Sequence, residues 1–353
     1  MINLSGAKVV ITGGCGFIGT NLAHRLLVEK CHVIILDNLS RIGTMNNLHW
    51  LINKHPNQRI EFIRGDVRCT DDFKKLLYGA DYVVHLAAQV AVTKSILDPV
   101  EDFDINLKGT FNILECLRNM SRPPVLLYTS TNKVYGQLNE LTLFRNKTRY
   151  EKTDSNNKGN QLHVNFCSPY GCSKGAADQY ALDYSRIYNL KTVVFRMSCI
   201  YGPHQYGNED QGWVAHFLWC MAKGRKVTVY GDGYQVRDLL FVDDLIDAMI
   251  MAFENISVLS GNAFPIGGGI ENTISIRELI EYMEKKESNA MNVNWMAWRP
   301  GDQKYYVSDL TSFSDTTAWK PKTTISEGLD SLYDWIKTMH KEEIRIQNTC
   351  VKG

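Results

Sequence analysis

Lys8-Val9-Val10-Ile11-Thr12-Gly13-Gly14-Cys15-Gly16-Phe17-Ile18-Gly19 sets an uninterrupted apolar run directly before three glycines, each separated from the next by two residues. An apolar, β-branched run of this length reads as a strand covered on both faces. Gly13, Gly16 and Gly19 give the form G-x-x-G-x-x-G, and an amphipathic run to Lys30 follows. Such a turn must bend tightly, bring backbone N–H groups up to a pyrophosphate, and let the helix pack close on its strand. A bare glycine triplet would serve equally as a plain turn. The flanking strand and helix are the context the dinucleotide reading requires.

Working outward, Val33-Ile34-Ile35-Leu36 is a second buried strand that ends at Asp37. A carboxylate there can accept a ribose 2′-hydroxyl and would repel a 2′-phosphate, so NAD is preferred over NADP. Arg41 follows closely and leaves some tolerance of NADP. A third strand, Ile60 to Arg64, runs into Gly65-Asp66-Val67, where Asp66 either holds the adenine amino group or is an ordinary loop aspartate. A fourth, Tyr82-Val83-Val84-His85-Leu86, leads into Ala87-Ala88-Gln89, small enough to let a cofactor cross the strand end. His85 lies inside the buried run and reads as a satisfied core histidine. A helical run with Asn106, Gly109 and Thr110 precedes a fifth strand, Val125 to Ser130, and Thr192 to Arg196 is the sixth.

The fifth strand ends in Thr129-Ser130-Thr131-Asn132-Lys133-Val134-Tyr135-Gly136. Hydroxyls at the carboxyl end of a parallel strand face the crevice where ligands bind, although a Ser/Thr run is also common turn chemistry. Downstream, Tyr170 and Lys174 open an alanine-bearing run to Tyr188, and on a helix they share one face. An ammonium beside a phenol favours the phenolate, which would lower the phenol from about 10 toward working pH. A tyrosine tuned this way can exchange a proton with a sugar hydroxyl. By itself the pair is also what a solvated helix face looks like.

The remaining chain supplies lighter signals. Residues 137–168 are polar and read as a long insertion near both motifs, placed to act as a lid. Gln211-Gly212-Trp213 starts a helix to Lys223, Val227 to Tyr230 and Asn262 to Ile266 are strands, and Asp243 to Glu254, Ser275 to Lys286 and Ser326 to Lys341 are helices. The end beyond Glu343 is expected to fray. The expected fold is α/β: a Rossmann-type doubly wound parallel sheet from residues 1–196 plus 239–270. A smaller C-terminal substrate-binding domain comes from 197–238 plus 271–345, with the site in the cleft between.

Composition narrows the partners. The 353 residues carry 39 Lys and Arg against 38 Asp and Glu, a formal charge of +1, so nothing points to nucleic acid or a membrane surface. No apolar run approaches a membrane span and no signal-peptide pattern opens the chain. Nine cysteines stand singly, without zinc spacing, and read as free thiols in a reducing cytoplasm; no metal is expected.

Taken together, these motifs resemble the extended short-chain dehydrogenase/reductase family of nucleotide-sugar epimerases and dehydratases. Within that family, Asn38-Leu39-Ser40-Arg41, Asn47-Leu48-His49-Trp50, Ser130 to Gly136, Ser168 to Tyr180 and Asp210-Gln211-Gly212-Trp213 are similar to 2-epimerases of CDP-sugars. The resemblance implies tightly bound NAD held by Gly13, Gly16, Phe17, Ile18, Gly19, Asp37, Asn38, Ser40, Arg41, Asp66, Val67, Leu86, Ala87, Ala88, Gln89, Asn106, Thr129, Tyr170 and Lys174. It implies Tyr170 as catalytic base and acid, Lys174 as the group that lowers its pKa and holds the nicotinamide ribose, and Thr131 as a hydrogen-bonding partner of the reacting oxygen. Substrate contacts would come from Thr131, Asn132, Ser198, Trp213, Arg237 and Arg299. The two arginines would grip the diphosphate, surface arginine being their alternative reading, and Trp213 would stack on a base or serve as core. Two positions depart from many relatives: Cys199 where Asn is common, and His204 where Arg is common.

The residues after Thr131 help choose the reaction. Related dehydratases carry acids there, whereas this chain has Asn132 and Lys133; an amide cannot act as a general base, and Lys133 would need a strongly depressed pKa. Elimination loses its machinery, which leaves oxidation at a sugar carbon, reorientation, and hydride return to the opposite face. Carbon 2 rests on the resemblance alone. The competing readings are a UDP-sugar 4-epimerase, a keto-sugar reductase, and a non-catalytic NAD-sensing protein. Packing of the helices around Asn106 and Tyr170 in similar proteins implies a homodimer, with a tetramer open.

Overall fold

The computed structural model describes residues 4–153, 163–288, 290–299 and 301–350, with side chains described through Arg345. Seven parallel strands form the main sheet: β1 (Lys8–Thr12), β2 (His32–Asp37), β3 (Ile60–Arg64), β4 (Tyr82–His85), β5 (Val125–Thr131), β6 (Thr192–Met197) and β7 (Asn262–Ile266). Their order is β7-β6-β5-β4-β1-β2-β3, so the chain winds from β1 outward to β3 and then crosses back to β4. The order reverses between β1 and β4, and the carboxyl ends of those two strands frame the crevice.

The strands lack polar alternation because both faces are covered. Val9 and Ile11 pair in register with Val33 and Ile35 and pack under helices Phe17–Val28 and Val242–Glu254. Val10, Ile34, Leu36 and Val83 point the other way, onto Ile113, Leu114 and Leu117 of helix Gly109–Arg118. Helix Ser168–Tyr188 lies over β5 and β6 through Ala177, Ala181, Tyr128 and Val194. It is fastened to β6 by Arg196, whose Nε and Nη2 donate to buried Asp178 at 2.7 and 3.0 Å.

A second core gathers Phe217, Leu218, Val227, Leu279, Met283, Leu332 and Ile336. Helices Trp213–Ala222, Ile276–Glu287 and Ile325–Cys350 surround it. Strand Val236–Phe241 pairs with Cys199–Tyr201, Thr273–Ser275 and Tyr305–Tyr306 and carries the chain from this core back toward the main sheet. Phe313 and Trp319 pack into the core of the main sheet, although they lie in the stretch after residue 271. The final helix runs to Cys350, past the expected fraying point at Glu343, because residues 341–350 contain no glycine or proline to stop it.

The insertion 137–168 contains an antiparallel hairpin, Leu143–Arg145 with Tyr150–Lys152. Between its strands, Arg149 clamps both oxygens of Glu278, with Nε–Oε1 at 2.7 Å. Glu278 is itself the capping-box residue of helix Ile276–Glu287, closed by Ser275. The described part of the insertion is therefore pinned to the second core. The Asn156–Asn160 run of the expected lid lies outside the described residues.

Candidate active site

Two cavities meet at Tyr170. One, of about 210 Å3, follows the carboxyl ends of β1, β2 and β4. The other, of about 340 Å3, opens between the main sheet and the second core. Val90, Tyr170 and Gln211 line both.

The first cavity begins at the glycine turn. Gly13 has φ +68°, and a Cβ there would lie 2.7 Å from the Ala87 nitrogen, so only glycine lets β1 and β4 turn side by side. A Cβ on Gly19 would lie 2.5 Å from Gly14 Cα, so the third glycine sets the close approach of helix Phe17–Val28 to the turn. Gly16, Phe17, Ile18, Asn38, Ser40, Val67, Leu86, Ala87, Ala88 and Thr129 line the groove with them. Asp37, at the end of β2, accepts from the Cys15 and Leu39 nitrogens at 3.0 and 2.8 Å, and burial pushes its carboxyl upward. Asp66 is held by Arg68 and by Asn38 Nδ2 at 2.9 Å, and Arg68 draws it down to about 2. Arg41 reaches across to Gln211 Oε1 at 3.1 Å, and its charge bears on both Asp37 and Tyr170.

Gln89 and Asn106 sit one layer behind this groove. The Asn106 amide exchanges hydrogen bonds with the Gln89 backbone, both at 2.9 Å, from a π-helical turn at Asp104–Lys108. Both side chains also donate to fully buried Asp102, which accepts from Ser173 of the Tyr170 helix as well. The amide is thus held against the backbone just beyond β4, and the two residues brace that turn. Asp102 carries no motif signature in the sequence, and Ser173 lies inside the Ser168 to Tyr180 string without a role of its own there. His85 bridges Thr12 and Thr110 at 2.6 and 3.0 Å, and full burial takes it down to about 3, as a core histidine.

At the junction, Tyr170 and Thr131 line the larger cavity together, and Thr131 acts on the phenol in favour of its ionised form. The Tyr170 nitrogen is held by Ser95 Oγ at 3.1 Å, where Ser168 and Pro169 start the helix. Burial pushes the Tyr170 phenol up to about 12, against the downward pull of Thr131 and Arg41, while Asp102 adds to the rise. Burial brings the Lys174 ammonium down to about 7, against the attraction of Asp102 and Asp178. Lys174 Nζ lies over the Tyr128 ring at 4.4 Å. The expected lowering of the phenol by Lys174 is not what sets it here: burial is the largest influence, and the opposing pull comes from Thr131 and Arg41.

The second cavity is lined by Thr131, Asn132, Ser198, Trp213, Arg237 and Arg299, the full set expected on the substrate side. Arg237 donates to Asp302 Oδ1 at 2.8 Å and to the Gln303 carbonyl at 2.6 Å. Arg299 stacks 3.7 Å above the Tyr230 ring and faces Glu209 and Asp210 at 3.6 and 3.7 Å. Both arginines are thus presented to the cavity by acidic partners and are not loose surface groups. Lys133, Cys199, Gln211 and Asp302 also line it. Burial and Arg237 lower the Lys133 ammonium, opposed by Asp302. His204 points elsewhere, packed between Trp50 and Trp335 at 4.1 and 5.4 Å. Described residues of 137–168 line neither cavity.

The groove fits a dinucleotide on its own geometry. It lies where the strand order reverses, the glycine turn faces it, and Ser130 Oγ is buried beside it with no hydrogen-bond partner among the described residues. Residues 9–267 match the NAD dependent epimerase/dehydratase family, and the chain belongs to that family. It is 42% identical over 340 residues to CDP-paratose 2-epimerase of Salmonella typhi, covering 94% of this chain and 100% of that protein. It is 30% identical to a putative UDP-glucose 4-epimerase of Methanocaldococcus jannaschii, covering 94% and 99% of the two chains. The fold superimposes on UDP-glucuronic acid 4-epimerase from Bacillus cereus, solved with UDP-glucuronic acid and NAD, with a TM-score of 0.80, 27% identity, and 94% and 99% of the two chains covered.

The low Lys174 value has a measurable consequence. Between about pH 7 and the unfolded lysine value near 10.4, the unfolded chain binds more protons than the folded one, so stability from this group rises with pH. In cofactor-stripped protein, Lys174→Met should be stabilising relative to wild type at pH 6, and the gain should shrink as pH approaches 10. A difference in Tm that stays constant from pH 6 to 10 would contradict the assignment.

Proposed function

We propose that this chain is an NAD-dependent nucleotide-sugar epimerase that interconverts CDP-paratose and CDP-tyvelose at carbon 2. The observation that carries the reading is the Thr131–Tyr170 pair at the meeting point of the two cavities. A sugar carbon seated there lies between a proton-transferring side chain and the dinucleotide groove. The choice of CDP-sugar and of carbon 2 draws on the likeness to the Salmonella typhi enzyme.

Bound NAD would supply a hydride acceptor that can give the hydride back. The chain's own work is to orient the sugar and move a proton. Thr131 Oγ1 and the Tyr170 hydroxyl would take the reacting sugar oxygen between them. Tyr170 would accept the hydroxyl proton as the carbon is oxidised and return it when the opposite face is reduced. With the phenol near 12, that transfer needs positive charge close by: Arg41 provides it, and Lys174, four residues on along the same helix, would add to it in its protonated form. Arg237 and Arg299 would hold the diphosphate while the keto-sugar turns, with Asn132 placed to bond it in the turned pose. Gly13, Gly16, Gly19 and Asp37 would hold the cofactor, Asp37 selecting NAD through the ribose hydroxyl.

Purified protein with no added cofactor should convert CDP-paratose to CDP-tyvelose, followed by NMR of the sugar. Tyr170→Phe should lower turnover by about 10²- to 10⁴-fold with little change in substrate affinity. A requirement for stoichiometric NADH or NADPH would favour a reductase, turnover of UDP-sugars alone would move the substrate, and turnover of none would leave a sensor.

We further infer a homodimer working in the cytoplasm. Phe103, Phe111, Tyr180, Ile187 and Tyr188 stand exposed on adjoining helices, Ile187 at 66%, and form an apolar face that a second copy would cover. Among the described residues no helix is long and apolar enough to cross a membrane, and all eight described cysteines are free. Ile187→Glu combined with Phe103→Glu should give a monomer by light scattering. A dimer unchanged in mass and stability would place the interface elsewhere.

A further inference from the structure

Lys133 was read from the sequence only as the residue that replaces an acid. The structure puts it inside the substrate cavity, between the reacting pair and Arg237. Its backbone nitrogen donates to Thr131 Oγ1 at 3.2 Å, so its position is tied to a hydroxyl that lines the same cavity as Tyr170. Its Nζ donates to the Gly301 carbonyl at 3.3 Å and faces Asp302 Oδ1 at 3.9 Å. That same oxygen takes Arg237 Nη2 at 2.8 Å. Two cations therefore share one carboxylate oxygen, and the carboxylate has no second charge to give. The Lys133 side chain is 21% exposed and Asp302 26%, and both exposed portions face the cavity they line. Such a cluster carries a net positive charge at a place a ligand can reach.

Reaction at carbon 2 would bring a phosphate to that place. A diphosphate attached at carbon 1 has its sugar-proximal phosphorus three bonds from carbon 2, but five bonds from carbon 4. Oxidising carbon 2 at Thr131 and Tyr170 therefore draws that phosphate up to the reacting pair, closer than a carbon 4 reaction would. Arg299, held by Glu209 and Asp210 on the far side of the cavity, is suited to the nucleoside-proximal phosphate. We infer that Lys133 is a substrate-positioning residue that binds the sugar-proximal phosphate together with Arg237, with Asp302 as the counter-ion both cations leave when substrate arrives. This inference rests on the carbon 2 reading above, and it assigns the third cation of the cavity.

The test compares ligands that differ only in that phosphate. Wild type, Lys133→Met and Lys133→Arg are titrated calorimetrically with CDP and with CMP, and melting temperatures are recorded for each. Lys133→Met should weaken CDP binding by about 10- to 100-fold, the range for a lost charge-assisted hydrogen bond. CMP affinity should stay within about twofold, and Lys133→Arg should restore most of the CDP affinity because it keeps the charge. If Lys133→Met binds CDP as wild type does, the proposal is overturned, whatever happens to turnover. If CMP and CDP weaken together with the melting temperature, Lys133 is structural and the proposal again fails. Failure of the functional reading is separable: wild type would then bind CDP without converting CDP-paratose, or would bind no nucleoside diphosphate.

Discussion

Asp102 is a fully buried carboxylate, and three separate pieces of the active site hang on it. It accepts from Gln89 beyond the end of β4, from Asn106 in the π-helical turn, and from Ser173 in the helix that bears Tyr170 and Lys174. A buried carboxylate left unpaired is costly, so these donors are not optional. The bonds that satisfy Asp102 also fix the floor of the cofactor groove relative to the catalytic helix. Its charge acts through the same short distances, holding Lys174 toward its protonated form and resisting ionisation of Tyr170. Structure and electrostatics come from one group.

The charges on the substrate side follow a different logic. Arg237, Arg299 and Lys133 are each matched by an acid that is itself partly exposed: Asp302, Glu209 and Asp210. Side chains with that much access to water can release a cation at modest cost, so the pocket is held in shape without being closed to an anion. The segment from Asn208 to Trp213 serves both cavities, since Gln211 reaches Arg41 while Asp210 takes Thr93 and faces Arg299. One short loop therefore touches both the cofactor groove and the substrate pocket.

The main sheet and the glycine turn were legible because their signals are local: apolar runs without alternation, and glycines whose missing Cβ is demanded by Ala87 and Gly14. The groove-lining set was legible for the same reason, as strand ends in such a sheet converge on one crevice. The π-helical turn at Asp104–Lys108, from which Asn106 bonds the Gln89 backbone, has no sequence signature. The Tyr170 phenol was expected to fall, yet burial of the whole junction raises it; the depth of a side chain is a tertiary property that residue spacing does not carry. Asp102, Asp302 and Lys133 went unassigned as active groups because the partners that tie them to the site, Ser173, Arg237 and Gly301, lie far away in the chain. The insertion reads as a lid from its length, its polarity and its nearness to both motifs; in its described part, Arg149 on Glu278 ties the hairpin to the second core.

In the reaction proposed, one carbon is oxidised and then reduced by the same hydride, with Tyr170 moving only the hydroxyl proton. The decisive experiment runs the CDP-paratose reaction to equilibrium in deuterated water, with no added cofactor. Internal hydride return gives CDP-tyvelose that carries protium at carbon 2. Deuterium at carbon 2 would mean that the carbon-bound hydrogen had exchanged with solvent as a proton, and would contradict it.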